Sequence, residues 1–92
     1  MSRTVTNANL TLNSSHHYVG VSVTTAVTIT LPTAVGNSGK EYIIGSEASS
    51  ANITIAPYSG QKINGVAANK SHTTGYSSIK LISNGTDGWF TY

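Results

Sequence analysis

The stretch Tyr76-Ser-Ser-Ile-Lys-Leu-Ile-Ser-Asn-Gly-Thr-Asp-Gly-Trp-Phe-Thr-Tyr92 decides the fold. An aliphatic run from Ile79 to Ile82 meets Asn84-Gly85 and Asp87-Gly88, and an aromatic run follows at once. Gly and Asn tolerate the positive φ that tight turns demand, so such turns between apolar runs predict a β-hairpin. Strands are expected over 78–83 and 89–92, with the only Trp in the second. An ending this apolar is expected to dock into the core or onto a neighbouring subunit.

The same period-two signal recurs upstream. It marks Leu10 and Leu12, then Val19, Val21 and Val23, then Val27, Ile29 and Leu31, where Pro32 stops the run by removing an amide donor. Thr25-Ala26 is expected to be a tight link between the last two strands. Glu41-Tyr-Ile-Ile44 is apolar on both faces and is read as central. Asn52 to Ala56 alternates up to Pro57, Gln61 to Ile63 is a brief strand, and Asn64-Gly65 is a further turn. Residues 66–75 are polar and are read as one irregular edge strand.

Apolar residues never recur at three- and four-residue spacing over a helix length, so almost no helix is expected. The pattern predicts an all-β, single-domain antiparallel β-sandwich or jelly-roll-like barrel. Residues 1–9 are read as an N-terminal arm and 10–92 as the β module. The expected core is Val21, Val23, Ile29, Leu31, Tyr42, Ile53, Ile55, Leu81 and Trp89. Leu10, Leu12, Val19, Val27, Ile44, Ile63 and Ile79 also point inward. Such a core is thin for two layers, and a domain of this size gains from oligomerisation.

Charged residues are 9% of the 92, against about 25% in an ordinary soluble domain. Thr, Ser and Asn fill the difference. Thr suits the outer face of a strand, where its branched Cβ fits the pleat and its hydroxyl meets water. So little charge leaves little electrostatic repulsion between copies, and self-association is expected. Arg3, Lys40, Lys62, Lys70 and Lys80 are scattered and the net charge is +2, which argues against nucleic acid as a partner. No run has the length of a membrane span. The N-terminus lacks the apolar segment of a signal peptide, and the Met start leads to the expectation of a complete reading frame, made and kept in the cytoplasm until assembly.

Catalysis is not expected. The acids are Glu41, Glu47 and Asp87: Glu41 opens a strand beside Lys40, and Asp87 precedes Gly88 in a turn. A small hydrolase would need two of them to converge in a cleft. His16-His17, if on a strand, would point to opposite faces and could not readily share one ion. His72 could complete a site only if the fold brought it near. No metal and no cofactor are therefore expected. The exposed aromatics Tyr58 and Tyr76 are candidates for stacking on sugars or anchoring an interface.

Five segments occur in a telling order: Thr28-Ile-Thr-Leu-Pro-Thr-Ala34, Gly39-Lys-Glu-Tyr-Ile-Ile44, Asn52-Ile-Thr-Ile-Ala-Pro57, Gly60-Gln-Lys-Ile-Asn-Gly65 and Tyr76 through Trp89. Together they resemble a small β module of tailed-bacteriophage virion proteins, found in head and tail fibres and capsid-surface proteins. The chain departs from that pattern at Gly45-Ser46, where the module usually carries a Lys-Asp pair, and in a closing turn one residue longer. The resemblance implies a structural homotrimer without catalysis. The free-standing length favours a capsid decoration or cement protein, whose partners would be its own copies and the major capsid protein. It would be made in the host cytoplasm and sit on the capsid exterior. The alternative is a tail-fibre or baseplate-tip module binding a host receptor or glycan through Tyr58, Tyr76 and the 66–75 loop. Candidate interface residues are Arg3, Val5, His16, His17, Tyr58, Tyr76 and Tyr92.

Overall fold

The structure, a computed structural model, describes residues 3–92. Among the described residues ten strands form two sheets. The six-stranded sheet holds β1 (Arg3–Thr6), β3 (Tyr18–Val21), β5 (Glu41–Ser46), β9 (Ser78–Ser83), β10 (Gly88–Thr91) and β7 (Lys62–Ile63), in that order. The four-stranded sheet holds β2 (Leu10–Thr11), β4 (Val27–Thr30), β6 (Ile53–Ala56) and β8 (Lys70–His72). There is no helix among the described residues.

The chain changes sheet at every connection from β1 through β9. As a result β1, β3 and β5 pair in parallel, and so do β2, β4 and β6. The first three strand pairs thus wind like rungs of a flattened coil. Only β9, β10 and β8 run antiparallel to their neighbours β5, β9 and β6. The all-β, two-layer expectation therefore holds, but the sheets are mixed and not purely antiparallel.

The expected link at Thr25-Ala26 shows why. Residues 22–26 carry β3 of one sheet to β4 of the other, because Ser-Val-Thr-Thr-Ala offers no residue suited to the positive φ of a two-residue hairpin. Period-two alternation is equally satisfied by a strand alongside and by a strand facing. Asn64-Gly65 is the contrast. Both residues have positive φ, 53° and 80°, and the turn closes an antiparallel bridge between Ile63 and Val66. Arg3–Thr6, within the expected N-terminal arm, forms the edge strand beside β3; Met1 and Ser2 lie outside the described residues.

The two inner faces enclose one cluster. Val21, Ile29, Leu31, Tyr42, Ile53, Ile55, Leu81 and Trp89 are buried in it, and Val23 is half-buried against it. Trp89 and Tyr42 meet at 5.4 Å between ring centroids, tilted by 48°. The indole N–H donates to the Pro32 carbonyl at 3.2 Å. Ala34, absent from the expected inward set, is fully buried where the chain leaves β4. Its N–H donates to Gln61 Oε1 at 2.9 Å, and its carbonyl accepts from Ser83 Oγ at 3.0 Å. Gln61 and Ser83 are themselves buried. Backbone groups inside a core must be paired, and these two side chains serve that loop.

The β9–β10 turn is organised by Asn84. Its Oδ1 accepts from the N–H groups of Thr86, Asp87 and Gly88 at 2.9, 3.1 and 3.1 Å. Its Nδ2 donates to Asp87 Oδ1 at 2.9 Å, which with Lys62 nearby lowers the Asp87 pKa.

Candidate interaction surface

Alternation places every second residue of the six-stranded sheet on its outer face. With Tyr42, Ile44, Leu81 and Trp89 buried, the outward residues include Glu41, Ile43, Lys80, Ile82 and Phe90. Register lines them up: Phe90 beside Ile82 beside Glu41, and Lys80 beside Ile43 beside Tyr18. The Tyr92 N–H reaches the Lys80 carbonyl at 3.1 Å and adds a ring to the second row. One end of this face is therefore an apolar patch of Ile43, Ile82, Phe90 and Tyr92. Phe90 is 44% and Tyr92 59% exposed. Lys80 Nζ lies 5.8 Å from the Tyr92 ring centroid, and hydrogen bonding to the Glu41 carboxylate raises the phenol pKa.

The other end is different. Gly20 and Gly45 are register partners without side chains, and two neighbours fill the space. The Glu47 carboxylate folds over Gly20, where a Cβ would collide with it; a Cβ at Gly45 would stand 2.6 Å from Tyr18 Oη. Tyr18 Oη donates to Glu47 Oε2 at 2.7 Å, and Arg3 donates to Glu47 Oε1 at 2.7 Å. The guanidinium carbon sits 5.9 Å from the Tyr18 ring centroid. Three neighbouring strands are thus laced together over two glycines. The ion pair is partly solvated and adds little stability by itself.

Burial raises the Tyr18 phenol pKa, and its hydrogen bond to Glu47 adds to the shift while Arg3 opposes it. Burial also raises Tyr42, whose Oη donates to the Asn13 carbonyl at 2.8 Å. A phenol with a raised pKa holds its proton more tightly folded than unfolded. That stability is intact below the ordinary value of 10.0 and is lost as pH climbs through the folded values. Ultraviolet titration of Tyr18→Phe and Tyr42→Phe should therefore lose amplitude only above pH 10.0, where the parent's sheet signal in circular dichroism also fades. Amplitude lost at or below that pH would contradict the assignment.

The sequence-derived candidates scatter over the molecule. Arg3 and Val5 lie on the outer face of edge strand β1, Val5 beside Gly20. His16 and His17 are half-buried in the turn before β3 and not on a strand, so alternation does not govern them. His16 Nδ1 accepts from the Asn13 N–H at 3.0 Å. His72 Nε2 lies 3.2 Å from the Ser77 carbonyl. Among the described residues no three of His, Asp and Glu gather as metal ligands, and no helix is long and apolar enough to cross a membrane. Glu41 opens β5 and Glu47 follows its last residue, so the two acids do not converge.

Tyr58 and Tyr76 are both exposed and sit in different loops. Tyr58 follows the end of β6, while Tyr76 bonds through its N–H to Ala48 ahead of that strand. Tyr18, Glu47, Ile82 and Phe90 are the surface residues that sequence reading passed over. Two glycines at the same register in neighbouring strands were the available signal, since strand Gly often marks close approach by another group.

No protein-family model matches the chain, and no curated protein sequence matches it.

Proposed function

We propose that this chain is a structural protein of a tailed-bacteriophage virion, a non-catalytic decoration protein that binds the assembled capsid as a homotrimer. The observation that carries the reading is the patch of Ile43, Ile82, Phe90 and Tyr92 on the outer face of the six-stranded sheet. Exposed aromatic side chains beside aliphatic ones are the usual anchors of protein interfaces. Glu41 and Lys80 border the patch with opposite charge, so neighbouring copies can pair acid with base around an apolar centre. The ordered motifs quoted above support the same reading, as does the scarcity of charge.

The patch is assigned to contact between copies. Each trimer then presents three equivalent surfaces to the shell, and contacts that are weak singly sum through effective concentration. Abundant Thr, Ser and Asn suit hydrogen bonding across wet interfaces. The capsid exterior is the place of action and the major capsid protein the partner.

Sedimentation of the purified protein tests the trimer. The parent should run at three times the mass of one chain, and Phe90→Asp should run as a folded monomer with unchanged circular dichroism. A parent that is monomeric, or a Phe90→Asp variant that stays trimeric, overturns the assignment.

A further inference from the structure

At the glycine end of the same sheet face lies an open depression of about 380 Å³, lined by Tyr18, Ser46, Glu47, Tyr76, Ser77 and Ser78. Among the described residues Tyr76 is the most exposed of the large apolar side chains, 75% accessible. It is also held at φ 49°, a left-handed conformation that an aromatic residue rarely adopts. Its backbone is pinned there, the N–H donating to the Ala48 carbonyl at 3.0 Å, while the adjoining Ser77 carbonyl accepts from Ser46 at 2.7 Å. A bulky ring in an unfavourable backbone region, kept in solvent by hydrogen bonds on both sides, contributes nothing to the core. Such strain concentrates where a side chain must be presented.

The polar groups in the depression define what could bind. Glu47 uses one oxygen for Arg3 and one for Tyr18, yet a carboxylate has about four acceptor positions, so two remain for a ligand. Among the described residues the Ser78 hydroxyl makes no side-chain hydrogen bond and stands on the exposed face beside Gly45. Arg3 cancels the charge of Glu47, so the site attracts neither a cation nor an anion. What remains is an aromatic wall, a charge-balanced carboxylate and a free hydroxyl in a basin large enough for one or two sugar rings.

We infer that this depression is a binding site for a neutral saccharide, one ring face lying against Tyr76 and its hydroxyls donating to Glu47 and pairing with Ser78. Charge-assisted hydrogen bonds to the carboxylate fix the orientation of the sugar. The site adjoins the apolar patch, Tyr18 being the register partner of Ile43, but Tyr76, Glu47 and Ser78 are not patch residues and the inference does not depend on the decoration role, so either can fail while the other stands.

Saturation-transfer NMR on the isolated protein tests it, with maltotriose, cellotriose, triacetylchitotriose and sialyllactose as probes. At least one neutral trisaccharide should bind with millimolar affinity or better. Tyr76→Asn tolerates the left-handed backbone, and Glu47→Gln keeps the shape; each should weaken binding by about tenfold or more. Tyr58→Ala, at the far end of β6, should leave binding unchanged. No transfer to any neutral probe, preference for sialyllactose over all neutral sugars, or full binding by Tyr76→Asn would each overturn the proposal.

Discussion

Trp89→Ala is expected to cost about 3–5 kcal/mol, which in a domain of this size is about a fifth or more of a total stability near 5–14 kcal/mol. Trp89 is fully buried and lies in β10, one strand in from the sheet edge. Its removal empties the space beside Tyr42, ends the 5.4 Å ring contact and orphans the Pro32 carbonyl that the indole N–H serves. No neighbour can collapse into that volume without leaving its own strand. Trp89→Phe should be much milder, because a ring remains against Tyr42 and only the hydrogen bond and part of the volume are lost. Urea unfolding followed by circular dichroism gives both values. A Trp89→Ala variant within about 1 kcal/mol of the parent would show that the site is not close-packed.

Gln61→Leu should cost about 1–3 kcal/mol although it makes the interior more apolar. The Ala34 N–H is fully buried and its acceptor is Gln61 Oε1. The same side chain donates from Nε2 to Thr33 Oγ1 at 2.9 Å. Leucine fills a similar volume but leaves that amide without a partner or water. Ser83→Ala is the internal comparison and should cost less, because the Ala34 carbonyl keeps a second donor in the Asn37 N–H at 3.1 Å and the Gly85 N–H that Ser83 Oγ accepts at 3.0 Å is only part-buried. If Gln61→Leu were as stable as the parent, or Ser83→Ala the worse of the two, the account of this loop would be wrong.

Both residues illustrate what the sequence exposed and what it hid. Alternation alone identified the inward residues of the strands, because a half-buried strand must bury every second side chain. The closing hairpin was legible from Asn84-Gly85 and Asp87-Gly88, and the turn at Asn64-Gly65 from residue types that accept positive φ. Strand partnership was not legible. Val19 and Val21 face the core in either an antiparallel hairpin or a facing sheet, and nothing local distinguishes the two. Gln61, Ser83 and Ala34 were hidden for a related reason. Their burial is set by a loop from one sheet crossing the end of the other, a long-range event without a local pattern.

The surface was harder still. Tyr76 was picked out by its place in a turn-like segment, but its companions Tyr18 and Glu47 reach it only through the β3–β5 pairing and the empty positions at Gly20 and Gly45. Ile82 and Phe90 fall on the outer face by alternation with Leu81 and Trp89, but only the β9–β10 register makes them neighbours in one patch.

The central claim is that copies of this chain coat a capsid. Quantitative densitometry of purified phage particles that contain the chain, normalised to the major capsid protein, is the most direct test of that proposal. The account predicts hundreds of copies per particle, in multiples of three. A handful of copies, as at a single tail or baseplate position, would contradict it.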